Sequence, residues 1–293
     1  MIESLGDRIK NLRKMIGMPQ KALCLGICSQ SEISRIENNK LIPSSYVIQQ
    51  ISDKLNVSIE YFYEDNQTQR SDYFNDVKTQ LAKARRLRNY NEIRDIIQIE
   101  LKNPSIQKNI YMKKYLKWHE GIVLYMINQD KKAAIDILFT CIDINANYFS
   151  ELEINILNSL GIFYRNDCNL EDATKYLEIA YDYITTFPLA NKNRLRLKTS
   201  YNLSKVYTDS GLFDKSLVLC ERGINICKNT EDMYLFAEFH YQYGRNWIMK
   251  GNDILGLEFW NKAKNILSLV GKQPLIKIIE ADIEYYLKTK EVN

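Results

Sequence analysis

The chain has 293 residues and is 45% hydrophobic, which is room for two domains with a core in each. Its 40 Lys/Arg against 36 Asp/Glu leave a formal charge of only +4, so a broad basic field cannot by itself hold a polyanion. With two histidines, no Gly-rich phosphate loop and no Ser/His/Asp constellation, an enzyme is not expected, nor is a cofactor or a metal. The start, Met1-Ile2-Glu3-Ser4, lacks the basic and apolar regions of a signal peptide, and no run of about 18 apolar residues predicts a membrane span. A cytoplasmic chain without membrane contact is expected.

From Met18 to Pro43 the sequence predicts two short helices about a tight turn. Gln20 to Leu25 carries Ala22, Leu23 and Leu25 and stops at Gly26, suited to the left-handed end of a helix. Ser29 can cap the next helix, Ile33 and Ile36 form its apolar side, and Asn38-Asn39 is the stop. The opposite side shows Gln30, Ser31, Ser34 and Arg35, whose amide, hydroxyl and guanidinium groups can bond base edges or phosphates. A helix-turn-helix lays the start of its second helix in the major groove, where Gln30 and Ser31 would fall. Residues 1–57 hold eight Lys/Arg against five Asp/Glu, so placed contacts and dimerisation must supply the affinity.

The pattern Gln20…Ile33-Ser34-Arg35-Ile36-Glu37-Asn38…Pro43 resembles the Cro/C1-type (XRE) helix-turn-helix family over about residues 5–65. Apolar residues continue in register on both sides, at Leu5, Ile9, Leu12 and Ile16, then Ile48, Ile51, Leu55 and Val57. The resemblance implies five short helices, an ion pair of Arg13 with Glu37, and a DNA-backbone contact from Gln20. The candidate DNA-binding set is Gln20, Ser29, Gln30, Ser31, Ser34, Arg35, Asn38 and Lys40. Asn39 stands where the family usually has glycine, a place asparagine tolerates because it adopts positive φ.

The polar stretch Glu64-Asp65-Asn66-Gln67-Thr68-Gln69 marks a boundary. Residues 1–65 are expected to form the head, 66–76 a linker running into the first repeat helix, and 77–293 a second domain. Self-similarity dominates that domain. Leu160-Gly161…Tyr164…Cys168…Ala173…Leu177 has the offsets of a tetratricopeptide repeat, and Leu203-Ser204…Tyr207…Gly211…Ser216 and Tyr243-Gly244…Trp247…Gly251…Gly256 repeat them. Weaker copies upstream place the marker positions at 81, 121, 161, 204 and 244, intervals of 40, 40, 43 and 40. The fold expected is all-α: the head, then a right-handed superhelix of five degenerate repeats, then a capping helix over Pro274–Tyr286.

Cys24 and Cys28 lie four apart, but no other metal ligand accompanies them, and the six cysteines are expected to be buried, reduced structural thiols. The concave wall draws polar residues from the first helix of each repeat: Asn155, Asn158, Arg165 and Asn166, then Tyr201, Asn202 and Lys205, then Tyr241, Gln242 and Arg245. Amides one repeat apart can bond the backbone of an extended peptide. Lys83, Arg85, Arg86 and Arg88 form a basic cluster that could hold a carboxylate, and Tyr115, Trp118 and Tyr125 could line apolar pockets.

An XRE head joined to five such repeats resembles the peptide-pheromone receptors of Gram-positive bacteria, the Rap/Rgg/NprR/PlcR/PrgX group, and its PlcR-like members above all. The likeness rests on Gln30-Ser31-Glu32 with Ser34-Arg35-Ile36-Glu37, on Tyr201-Asn202 with Lys205 and Tyr207, and on Tyr241-Gln242 with Gly244. It implies a quorum-sensing transcriptional regulator: a homodimer that reads a pseudo-palindromic operator in double-stranded DNA under control of a short signalling peptide. By the same likeness Asn158, Asn202 and Gln242 would hold the peptide backbone, and Arg86 and Arg88 its acidic end. Arg165, Tyr201, Lys205, Tyr241 and Arg245 complete the candidate peptide set. The alternative keeps DNA binding and replaces the peptide by redox input through cysteines or by a protein partner.

Overall fold

The structure is a computed structural model that describes residues 4–55, 57, 62, 68–146, 148–186 and 193–291. The chain forms two compact units, residues 1–87 and 88–293. Among the described residues both are helical, and no helix is long and apolar enough to cross a membrane.

In the first unit the helices are α1 (Leu5–Met15), α2 (Gln20–Cys24), α3 (Gln30–Glu37), α4 (Ser45–Leu55) and α5 (Thr68–Arg86). Serine and acid begin two of them. Ser4 with Asp7, and Ser29 with Glu32, close reciprocal capping boxes at α1 and α3. The periodic apolar residues converge as expected: Ile9, Leu23, Ile33, Ile36, Ile48 and Ile51 form one core. α2 ends before Gly26, whose φ of 80° is the left-handed value that glycine permits. Asn39 also takes positive φ, 57°, and its Oδ1 accepts the Gly6 N–H at 3.1 Å. The substitution for glycine thus gains a tie from the end of α3 to the start of α1. The expected fifth head helix and the polar boundary stretch lie largely outside the described residues. Phe62, which is described, is buried in the head core.

The second unit begins with α6 (Tyr90–Glu100) and α7 (Pro104–Gln107) and then runs in hairpins. α8 (Ile110–Val123), which passes into a π-helical turn at Leu124–Asn128, pairs with α9 (Lys131–Phe139). α10 (Glu151–Asn166) pairs with α11 (Leu170–Thr186), and α12 (Asn193–Asp209) with α13 (Phe213–Thr230). α14 (Phe236–Met249) pairs with α15 (Asp253–Leu269), and α16 (Gln273–Glu291) closes the stack. The expected cap is present, with Leu275, Ile276, Ile279, Ile283 and Tyr286 packed against α15 residues such as Trp260 and Leu267.

Helices of 14 to 18 residues in these last pairs explain why the repeat exceeds the usual period. Each hairpin turns in three residues, and the middle one, Cys168, Gly211 or Gly251, is left-handed at φ 61°, 75° or 81°. The small marker residues do what the sequence assigns them. A Cβ on Gly161 would stand 2.4 Å from Leu177 Cγ, and one on Gly244 2.6 Å from the Gly256 carbonyl oxygen. The helices meet backbone to side chain, and even backbone to backbone, at those points.

Candidate functional site

In the head, α3 is fixed from both ends and from below. Ser29 starts it, and Asn38 Nδ2 returns to the Ser34 carbonyl at 2.8 Å to finish it. Beneath lies the ion pair implied by the family resemblance. Arg13 donates from Nε to Glu37 Oε1 at 2.5 Å and from Nη2 to Oε2 at 2.9 Å. Arg13 Nη1 also donates to the Met18 carbonyl at 2.7 Å, and Gln20 Nε2 to Glu37 Oε2 at 2.7 Å. Glu37 is only 1% exposed. Burial pushes its carboxyl up, but the bonds from Arg13 and Gln20 outweigh that and hold it below the ordinary glutamate value.

This clamp leaves the other side of α3 to solvent. Gln30, Ser31 and Arg35 are exposed, Ser34 is half-buried, and Asn38 and Lys40 are exposed just beyond the helix. The eight candidates therefore separate by task. Ser29 and Asn38 use their side chains as caps, and Gln20 directs one amide hydrogen at Glu37 with a second still to give. Gln30, Ser31 and Arg35 keep exposed side chains, with Ser31 Oγ 2.9 Å from Ser29 Oγ.

In the second unit the candidate wall comprises one face of α10, α12 and α14, and its amides are engaged. Asn158 is 0% exposed; its Nδ2 donates to Thr199 Oγ1 at 2.8 Å and to the Ile154 carbonyl at 3.0 Å. Its Oδ1 accepts from Asn202 Nδ2 at 3.1 Å. Gln242, 1% exposed, donates to Thr208 Oγ1 at 2.6 Å, which donates to Asn246 Oδ1 at 2.7 Å. Asn246 Nδ2 closes the chain on Ser216 Oγ at 2.8 Å. These are ties between neighbouring repeats. A peptide backbone reaches Asn158 or Gln242 only by exchanging bonds with them, since each amide already has partners between packed helices.

Around these ties stands a charged rim. Arg165 and Arg245 both bind Asp209, at 2.6 and 3.2 Å. Lys205 Nζ lies 4.7 Å over the Tyr201 ring, and Tyr241 OH bonds the Asp282 carboxylate. Arg165, Tyr201, Lys205, Tyr241 and Arg245 all keep partial exposure. Arg88 is exposed at a left-handed turn residue, φ 55°, and Arg86 is exposed at the end of α5. Sequence reasoning missed Thr199, Thr208, Asp209 and Asn246. Asp209 was readable, being one helical turn beyond Lys205; the threonines resemble any buried helix hydroxyl.

Two expectations need correction. Tyr115, Trp118 and Tyr125 do not line pockets: all three are buried, and Trp118 Nε1 donates to Ser159 Oγ at 2.8 Å while Tyr125 OH bonds Asp167 at 2.8 Å. Bulky aromatic rings fill the contact between the second and third repeats. Cys168 is exposed where a buried thiol is expected, because it occupies the left-handed turn position that Gly211 and Gly251 hold in later repeats. The other cysteines are buried or half-buried free thiols, and burial followed by the Glu32 charge pushes the Cys28 thiol up, away from reactive thiolate. Among the described residues no group of His, Cys, Asp and Glu could hold a metal ion. An open depression of about 560 Å³ along α11, lined by Thr174, Glu178, Asp182 and Ser210 among others, includes none of the candidates.

Two family models match the chain. Residues 9–62 match a helix-turn-helix family and residues 78–288 the RNPP family C-terminal domain. No curated protein matches the sequence. Among solved structures, Bacillus thuringiensis PlcR in complex with the peptide PapR7 and DNA is similar at TM-score 0.78 and 23% identity, over 94% of this chain and 99% of that one. ComR from S. thermophilus in complex with DNA and its signalling peptide ComS gives TM-score 0.64 at 16% identity, over 97% and 99%. The Streptococcus dysgalactiae SHP pheromone receptor Rgg2 gives 0.62 at 18%, over 98% and 100%. At such identities these likenesses establish a shared fold. The domain match, which spans most of the chain, goes further: this protein belongs to the RNPP family.

Proposed function

We propose that the chain is a sequence-specific, DNA-binding transcriptional regulator controlled by a short signalling peptide held by the concave face of its repeats. It acts in the cytoplasm as a homodimer and serves quorum sensing. The observation that carries this reading is the pairing, in one chain, of a clamped α3 presenting Gln30, Ser31 and Arg35 with an RNPP C-terminal domain. Similar folds have been solved with both ligand classes, PlcR with PapR7 and DNA and ComR with ComS and DNA. Two-fold symmetry would set two heads on half-sites about one helical turn, ~34 Å, apart or a multiple of it. In this reading residues 1–65 are the head, 66–76 the linker, and 77–293 the regulatory part.

The test is selection of operators from random duplex DNA by the full chain, in parallel with Gln30→Ala and Arg35→Ala. The wild type should enrich a pseudo-palindrome. Each variant should lose specific binding by about 1–3 kcal/mol per bidentate base contact while melting normally. Undiminished operator affinity in both variants would remove the assigned reading face. Adding peptides recovered from spent medium should then change operator occupancy; a ligand alters the heads only if it prefers one arrangement of them.

A further inference from the structure

One face of α10, α12 and α14 in the second unit gathers cations from three repeats about Asp209. Arg165 reaches in from α10 and Arg245 from α14, and both guanidiniums close on the single carboxylate of Asp209, from α12 between them. Lys205, one turn before Asp209 on α12, has its ammonium over the Tyr201 ring. Arg88 is near enough to act on Lys205 through its charge. Two guanidiniums therefore share one aspartate, with the Lys205 ammonium one turn away. Among the described residues no carboxylate is ion-paired with Lys205, and Asp209 has already given one oxygen to each arginine.

One carboxylate bridging two guanidiniums from different repeats is a worked example of what the place binds. We propose that Arg165, Lys205 and Arg245 form a carboxylate subsite in which Asp209 is a built-in stand-in that an acidic group of the ligand joins or displaces. The inference rests on the peptide-receptor reading above and names its chemistry: a C-terminal carboxylate or an Asp/Glu side chain. It also places the acid-binding charge on α10, α12 and α14.

The electrostatics support the geometry. The groups that face Lys205 are Arg165 from α10, Tyr201 and Asp209 on its own helix, Arg245 from α14, and Arg88; Glu238 of α14 acts on Tyr201. Burial first, and then the arginines, bring the Lys205 ammonium down to about 8, against the opposing pull of Asp209. A bound carboxylate would offset both causes, so acid binding and protonation of Lys205 reinforce each other. Affinity for an acidic ligand therefore falls as pH rises through 8.

The experiment uses immobilised full-length chain and three pools of random heptapeptides, with retained peptides read by mass spectrometry. One pool has a free C-terminal carboxyl and no Asp or Glu; one is amidated with a single glutamate; one is amidated and without acids. At pH 7 an acid-bearing pool should be retained about tenfold over the neutral one, as expected for one charge-assisted contact worth about 1.4 kcal/mol. Which acidic pool wins distinguishes a terminal carboxylate from a side chain. The preference should shrink at pH 9, vanish in R165Q/K205M, persist in K205R and grow in D209N. If R165Q/K205M fails to fold, K205M and D209N carry the same comparison. Equal retention of the neutral pool, or a preference that survives K205M, overturns the subsite and leaves the peptide reading standing. Retention of no pool overturns both.

Discussion

The head and the repeat array use the same kinds of polar side chain in opposite ways. On α3 of the head, Gln30, Ser31 and Arg35 are exposed, and the helix's one buried charge, Glu37, is clamped to Arg13. On α10, α12 and α14 of the array, Asn158, Asn202, Gln242 and Asn246 are buried and bonded across helices. The cause is the number of neighbours. A recognition helix packs one side against a small core, whereas each first helix of a repeat packs against its own second helix and against the first helix of the next repeat. Only a narrow strip of it meets solvent. A polar residue at helical spacing is thus a poor guide to solvent exposure in a solenoid and a better one in a helix-turn-helix.

The sharpest way to break the contrast is at the clamp. Glu37→Ala leaves the Arg13 guanidinium buried without its carboxylate and should destabilise the head by about 3–5 kcal/mol. Trp118, Trp247 and Trp260 all lie in the second unit, so tryptophan fluorescence follows the array alone while far-UV circular dichroism follows both units. The variant should lose the head component of the dichroism melt and keep the fluorescence melt. A head that melts at its original temperature would show that α3 is held by its apolar side only.

Smaller effects are expected within the array. Gly244→Ala sets a methyl group 2.6 Å from the Gly256 carbonyl, where backbone must move, and should cost about 1–3 kcal/mol. Thr208→Val keeps the shape but removes the hydroxyl that serves Gln242 and Asn246, and should cost about 1–3 kcal/mol by stranding those buried amides. Both should lower the fluorescence melt and leave operator binding by the head intact. Thr208→Val without a change in melting would mean that the amides find other partners, and that they can be released to a peptide at little cost.

Much of this was legible in the chain, for identifiable reasons. Caps, core spacing and stops each depend on a few local residues, so Ser29, Ile33, Ile36 and Asn38-Asn39 outlined α3 correctly. The marker glycines gave the repeat because only a residue without a Cβ fits against Leu177 or the Gly256 carbonyl. The fate of Asn158, Asn202 and Gln242 was not legible, because it depends on Thr199 and Thr208 arriving from another repeat, with Thr199 41 residues from Asn158. Trp118 and Tyr125 went the same way: their partners, Ser159 and Asp167, belong to the following repeat.

Acid offers the mildest test of the same contrast, because protonation removes the charge of Glu37 and leaves its side chain in place. Its folded carboxyl sits below the ordinary glutamate value of about 4.3, so the head gains stability from it above that pH. The gain must disappear as pH falls below 4.3 and through the folded value. Glu153 in the array is also lowered: burial raises its carboxyl, but Lys114 and Ser150 outweigh the burial. The two units therefore both weaken in acid, and wild-type melts alone cannot assign the loss. Glu37→Gln separates them, since it keeps an acceptor for Arg13 and abolishes the titration. In that variant the head component of the dichroism melt should be lower at neutral pH and nearly flat between pH 5 and 3, while the fluorescence melt retains its full acid slope. A head slope that persists in Glu37→Gln would shift the acid sensitivity to Asp7 and Glu32, the two exposed capping carboxylates whose values their serine partners also hold down.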